Sequence, residues 1–125
     1  MKNKNNTKDS DNPQIRIAVD PCVSMMDTSQ GKGTTETIFT FKAEVSPEDY
    51  YLKLSYYWEF GGLGEVISGS PSDPIVQYRY TNPGQYRVSL GASCINEAII
   101  AAIADVEVRY SDVEKNRLFK NTPGR

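Results

Sequence analysis

Lys53-Leu54-Ser55-Tyr56-Tyr57-Trp58-Glu59-Phe60 alternates between two kinds of side chain. Leu54, Tyr56, Trp58 and Phe60 share one parity, and Lys53, Ser55, Tyr57 and Glu59 share the other. A period of two marks a strand with one face in a core and the other in water. Upstream, residues 37–45 (TIFTFKAEV) set Phe39, Phe41, Ala43 and Val45 against Thr40, Lys42 and Glu44. Downstream, residues 85–94 (QYRVSLGASC) place Tyr86, Val88, Leu90, Ala92 and Cys94 on one side. Ser46-Pro47, Gly61-Gly62-Leu63-Gly64 and Asn82-Pro83-Gly84 supply the turns between the runs. Shorter strands are expected at Gln14–Val19, Glu65–Ser68, Ile75–Tyr80 and Ala98–Arg109. The last begins Ala-rich, and residues 98–104 also suit a helix. The shared parity of Ile100, Ala102, Ala104, Val106 and Val108 assigns it as a strand. About seven short strands in roughly a hundred residues predict an all-β fold, a two-sheet antiparallel sandwich. No internal repeat is present.

The chain of 125 residues suffices for one domain. Residues 14–110 are expected to hold the sandwich, between a polar N-terminal arm (1–13) and a polar basic tail (111–125). The arm carries Lys2, Lys4 and Lys8 against Asp9 and Asp11; the tail carries Lys115, Arg117, Lys120 and Arg125 against Asp112 and Glu114. Neither segment has the apolar content to offset its ordering entropy, so both are expected to be solvated or held by a neighbouring subunit. Lys+Arg 14 against Asp+Glu 16 gives a net charge of −2, which excludes a generally basic nucleic-acid binder. No apolar run approaches the ~18–20 residues that span a bilayer, so no membrane insertion is expected. Residues 1–13 contain no apolar stretch of the kind a secretory signal needs.

The composition contains no histidine. That removes Ser-His-Asp and Cys-His catalysis, His-ligated zinc and a histidine pH switch. Cys22 and Cys94 are too few for a metal site of their own. They are expected as two free thiols, with Cys94 buried as a small hydrophobe. The carboxylate pairs Glu48/Asp49 and Glu59/Glu65 read as solvated charges. Asp20, Asp27 and Asp73 lie in loops without the ligand density of a calcium loop. Gly61, Gly62 and Gly64 lack the Gly-Lys-Ser/Thr of a phosphate loop. No enzyme activity, cofactor or metal is therefore expected. Tyr50, Tyr51, Tyr57 and Tyr78 are the candidate exposed aromatics, able to stack on sugar rings or anchor a protein interface; cross-strand packing is the alternative use for them.

Tyr57-Trp58-Glu59-Phe60-Gly61, followed by Tyr80-Thr81-Asn82-Pro83-Gly84-Gln85-Tyr86-Arg87-Val88-Ser89-Leu90, resembles the PKD domain, an immunoglobulin-like sandwich. The family signature reads W-D-F-G-D-G, then Y-x-x-P-G-x-Y-x-V-x-L, and Phe41-Lys42-Ala43 resembles its F-x-A strand. The similarity covers roughly residues 36–108. Glu59 stands in place of the family Asp, and Gly62-Leu63-Gly64 replaces the second D-G. The resemblance implies a structural core of Phe41, Trp58, Phe60, Tyr80, Pro83, Gly84, Tyr86, Val88 and Leu90. It places Trp58 on the inner face of a central strand. Tyr86, just past the Pro83-Gly84 turn, has the placement of a tyrosine corner, or of a plain core aromatic.

The resemblance implies an interaction protein, and two settings follow. In the first, the polar arms and tail, with Lys115, Arg117 and Lys120, lock a capsid-decorating protein of a tailed phage onto the major capsid protein or another virion component, at the virion surface. In the second, the chain is an extracellular or cell-surface adhesion module that binds protein or a host-surface glycan through Tyr50, Tyr51, Tyr57 or Tyr78. The missing signal favours the first setting, and fold-level analogy carries it.

Overall fold

The computed structural model describes residues 14–46, 48, 53–94 and 99–113. Among them run nine strands: β1 (Gln14–Asp20), β2 (Cys22–Ser24), β3 (Asp27–Thr34), β4 (Phe39–Ser46), β5 (Ser55–Glu59), β6 (Gly64–Ser68), β7 (Ile75–Tyr80), β8 (Gly84–Ser93) and β9 (Ile100–Arg109). They form a four-stranded sheet, β1-β4-β7-β6, and a five-stranded sheet, β2-β3-β9-β8-β5. Among the described residues every strand pairing is antiparallel except β3 with β9. The fold is thus an all-β two-sheet sandwich, and the Ala-rich segment is a strand from Ile100 onward.

Period-two patterning sets the core. β4 buries Phe39, Phe41, Ala43 and Val45; β5 buries Tyr56 and Trp58; β8 buries Val88, Leu90 and Ala92; β9 buries Ala104, Val106 and Val108. These side chains, with Ile17, Val19, Val76, Tyr78 and Tyr80, make one cluster between the sheets. Cys22 and Cys94 are unbonded and both half-buried, so Cys94 lies at the margin of the core and not fully inside it.

All seven strands listed from the sequence are present, and β2 and β3, which carry no alternating apolar pattern, are additional to them. β3 reads DTSQGKGT, and its inward positions are Gly31 and Gly33. A Cβ on Gly31 would come within 2.5 Å of Val19 Cγ1, and one on Gly33 within 2.7 Å of Phe39 Cζ. Space, not hydrophobicity, selects these residues. The chain leaves β1 through the cis Asp20-Pro21 peptide and enters the second sheet at its edge as β2, after which β3 runs parallel beside β9.

A correction concerns Trp58. Its strand, β5, lies at the edge of the five-stranded sheet and is not central. The indole is nevertheless 2% exposed, because β5 turns it toward Phe41 and Phe60. The loop between β6 and β7 covers the edge. Trp58 N donates to Pro71 O at 3.0 Å, Trp58 Nε1 donates to Asp73 O at 2.7 Å, and Ala43 N donates to Pro74 O at 2.8 Å. Gly69 opens this loop at φ +80, a left-handed conformation that L side chains rarely adopt.

The opposite end is closed by tyrosines. Phe60 and Tyr78 stack at 4.0 Å, Tyr78 and Tyr80 meet edge to face at 4.9 Å, and Tyr80 and Tyr86 stack at 4.3 Å. Each phenol donates to a turn carbonyl: Tyr78 to Gly62 O (2.9 Å), Tyr80 to Phe60 O (2.7 Å) and Tyr86 to Asn82 O (2.6 Å). The last bond is the tyrosine corner. A side chain at Gly62 would run into the Tyr86 ring, and Gly61 takes φ +82 against the Arg87 backbone.

Replacing Trp58 with Ala is expected to cost about 3–5 kcal/mol in chemical denaturation followed by circular dichroism. Trp58→Phe keeps an aromatic ring in the core but loses the bond to Asp73 and leaves a small cavity, so a smaller cost of about 2–3 kcal/mol is expected.

Burial raises the phenol pKa of Tyr80, with the Tyr78 and Tyr86 charges adding to it; burial, then Tyr86, raises that of Tyr78. The folded state therefore favours the neutral phenols. Their contribution is complete below the ordinary phenol pKa of about 10 and falls as pH rises above it. In an alkaline titration, the phenolate absorbance of Tyr80 should appear only together with loss of the fold, and that of Tyr78 above the pH of an ordinary phenol. Their titration at the ordinary pH with the fold intact would contradict this.

Candidate functional site

The outward parity of the five-stranded sheet supplies the site. Trp58 points inward, so Tyr57 points outward, and it is 60% exposed. Strand register sets Tyr57 opposite Gly91 of β8, and Gly91 opposite Ala101 of β9. Adjacent strands lie about 4.8 Å apart, so the two small residues form a floor about 10 Å wide beside the tyrosine ring. A Cβ on Gly91 would touch only Ile99 Cγ2, at 3.9 Å, so the space above the floor is open. Ile99 and Ile103, 74% and 54% exposed, stand along the far side.

Polar groups of the same parity frame the floor. Glu59 faces Ser89 and Ser55 faces Ser93 across β5 and β8. Below them, Arg87 Nε binds Asp105 Oδ1 at 3.1 Å, an exposed pair of little energetic weight. The result is a shallow trough with one aromatic wall, an aliphatic wall and a hydroxyl and carboxylate border. Such a surface can hold a flat ligand with apolar faces and polar edges.

The remaining sequence candidates are distributed as follows. Phe41, Trp58, Phe60, Tyr80, Val88 and Leu90 lie in the core, and Pro83, Gly84 and Tyr86 are half-buried at the tyrosine corner. Tyr78 is corrected from surface aromatic to core residue: it is 7% exposed, because β7 turns it inward with Val76 and Tyr80. Tyr50, Tyr51, Lys115, Arg117 and Lys120 lie outside the described residues.

Asp20, Asp27 and Asp73 do not converge, and no group of three potential metal ligands occurs among the described residues. The Ser29 hydroxyl, then the Ser29 amide, hold the Asp27 carboxyl below the usual carboxylate range, as does the Arg16 charge more weakly. Glu59 and Glu65 lie on different sheets, and Glu65 pairs with Arg79 at 2.8 Å. Glu48 is exposed, and its sequence partner Asp49 lies outside the described residues. Among the described residues, no helix is long and apolar enough to cross a membrane.

Gly91, Ala101, Ile99 and Ile103 escaped the sequence reading. The signal for Ile99, Ala101 and Ile103 was present in Ala98–Arg109, where residues of both parities are apolar at the start of the strand, and Gly91 on β8 gave none. One face of such a strand fills the core; the other must remain in view.

Residues 26–98, more than half of the chain, match the family model described as the PKD domain, and the chain belongs to that family. Among solved structures, the chain is similar to SGBP-B of the Bacteroides ovatus mixed-linkage glucan utilization locus, determined in complex with a mixed-linkage heptasaccharide. The TM-score is 0.52 at 20% identity, over 81% of this chain and 25% of that one. It is also similar to a nucleoside hydrolase-related hypothetical protein from Saccharophagus degradans that is associated with carbohydrate metabolism. There the TM-score is 0.51 at 12% identity, over 78% of this chain and 26% of the other. The chain therefore spans about a quarter of the length of either structure, and the likeness is one of fold. No curated protein matches the chain significantly.

Proposed function

We propose that this PKD-family chain is a non-catalytic carbohydrate-binding module that acts outside the cell, through the outer face of its five-stranded sheet. The observation that carries the reading is Tyr57, 60% exposed over a floor of Gly91 and Ala101. A pyranose ring has an apolar C–H face and a hydroxyl rim. The tyrosine ring suits the face, and Ser55, Ser89, Ser93 and Glu59 suit the rim. The histidine-free composition supports a binding role over a catalytic one. The glucan complex of the Bacteroides ovatus protein adds support at the level of fold.

The capsid-decorating reading depends on residues 1–13 and 111–125, and of these only 111–113 are described. No described residue favours it over the trough.

Affinity electrophoresis of the full chain through gels containing mixed-linkage β-glucan, and isothermal titration with its oligosaccharides, test the proposal. Stacking a sugar on Tyr57 removes about 50 Å² of apolar surface from water, worth about 1.3 kcal/mol. Tyr57→Ala should therefore weaken binding about tenfold, without loss of the fold. Tyr110→Ala, at an exposed tyrosine beyond the end of β9, should change nothing. If a panel of neutral polysaccharides leaves the chain's mobility unaltered, or Tyr57→Ala binds as the parent does, the reading fails.

A further inference from the structure

Gly91 differs from the other glycines of the fold. Among the described residues, a Cβ on any other glycine would come within 3.2 Å of a neighbour. On Gly91 the nearest atom is Ile99 Cγ2 at 3.9 Å, an ordinary contact, and the backbone there is not left-handed. Glycine inside a strand weakens it, because it brings no side chain to pack. Gly91 lies well inside β8, where neither packing nor backbone conformation asks for glycine. Its missing side chain therefore serves the surface.

The relief of the outer face shows how. The outward residues of β8 at this level, Ser89, Gly91 and Ser93, are half-buried. On either side the outward residues are exposed: Tyr57 and Glu59 on β5, Ala101 and Ile103 on β9. β8 is thus the floor of the trough and its two neighbours are the banks, so the long axis runs along β8. From Ser89 to Ser93 the floor extends about 14 Å, at ~3.4 Å per residue. The next outward residue, Arg87, bars the lower end through its pair with Asp105. Among the described residues, the Ser89 and Ser93 hydroxyls and the Glu59 carboxylate have no side-chain partner, so their hydrogen-bonding capacity is open to a ligand.

A straight floor fits an extended chain, and β-linkage between pyranose rings keeps a glycan extended. Such a chain advances by about one strand spacing, ~4.8 Å, per sugar, so about three sugars match the floor. The bank strands lie about 10 Å apart, and the Tyr57 and isoleucine side chains narrow the gap. One chain fits between them and a side branch does not. Tyr57 stands opposite Gly91 in the strand register, so the middle sugar is the one that meets the tyrosine ring.

We infer that the trough takes an unbranched, β-linked stretch of about three sugars lying along β8, and that Gly91 sets the specificity by letting the middle sugar down to the level of Tyr57. The inference rests on the carbohydrate reading and adds to it the orientation, length and branching of the ligand.

Isothermal titration of the full chain with mixed-linkage β-glucan and β-mannan oligosaccharides of increasing length tests it. Affinity should rise up to about three sugars and level off beyond. The branched glycans xyloglucan and galactomannan should bind at least about tenfold more weakly than the unbranched chain of the same class. Gly91→Val should keep the circular dichroism of the parent and lose at least about tenfold in affinity, and Gly91→Ala should lose several-fold. Ser93→Gln, which blocks the floor, should weaken binding more than Ala101→Gln on the bank, and this comparison holds even if Gly91→Val disturbs the fold. A folded Gly91→Val that binds as the parent does overturns the inference and leaves the carbohydrate reading standing. So does an Ala101→Gln that costs more than Ser93→Gln, which would lay the chain across the strands. A parent that binds neither oligosaccharide series also overturns it, whereas the carbohydrate reading falls only with the whole polysaccharide panel.

Discussion

The clamp between Trp58 and the β6–β7 loop is the constraint on which most of the molecule depends. β5 is an edge strand, and an uncovered edge offers its backbone to any passing strand. Here the Pro71 carbonyl takes the Trp58 amide and the Asp73 carbonyl takes its indole. Ala43 ties the same loop to β4 of the other sheet. One residue thus closes an edge, anchors a loop and fills the centre of the core. Its neighbour Tyr57 inherits the rigidity. With Trp58 fixed inward, the adjacent side chain leaves the strand on the outer face.

The fold was legible wherever hydrophobicity decided the residue. β4, β5 and β8 bury the parities that the sequence assigns to the core, and the tyrosine corner lies where the Pro83-Gly84 turn put it. β3 was not legible, because its inward residues are chosen for the absence of a side chain. Gly31 and Gly33 admit Val19 and Phe39, and a glycine chosen for space looks the same in sequence as one chosen for a turn. Tyr78 is different again. It shares the inward parity of Val76 and Tyr80, so the pattern itself argues for burial, and only its residue type suggested the surface. The edge position of β5 and the trough both depend on which strands are neighbours. Period alone does not carry that information.

The first half of the family signature reads here as packing. Gly61 and Gly62 press on the Arg87 backbone and the Tyr86 ring, and the carbonyls of Phe60 and Gly62 receive the Tyr80 and Tyr78 phenols. A turn whose carbonyls are committed to buried phenols has a structural task that needs no acidic residue. Glu59, where the family has Asp, lies on the outer face beside Tyr57 and borders the trough.

The two outer faces meet the same solvent yet are built differently, and the contrast locates function. The four-stranded sheet is laced by polar pairs: Arg16 with Glu44, Arg79 with Glu65, and Gln77 with Thr40. Its apolar exposures, Val66, Ile67 and Ile75, stay at the β6–β7 margin. The lower half of the five-stranded sheet follows the same rule, with Arg87–Asp105 and Arg109–Glu107. Its upper half does not: Tyr57, Gly91, Ala101, Ile99 and Ile103 stand there, and Met25 and Met26 project from the adjoining hairpin. Surface ion pairs contribute only about 0–1 kcal/mol each, so stability does not explain why they stop halfway along one sheet. Solubility would favour continuing them. An apolar half-face bordered by Glu59 on an otherwise polar sandwich is better accounted for by contact with something else, and it includes the aromatic that the Trp58 clamp holds outward.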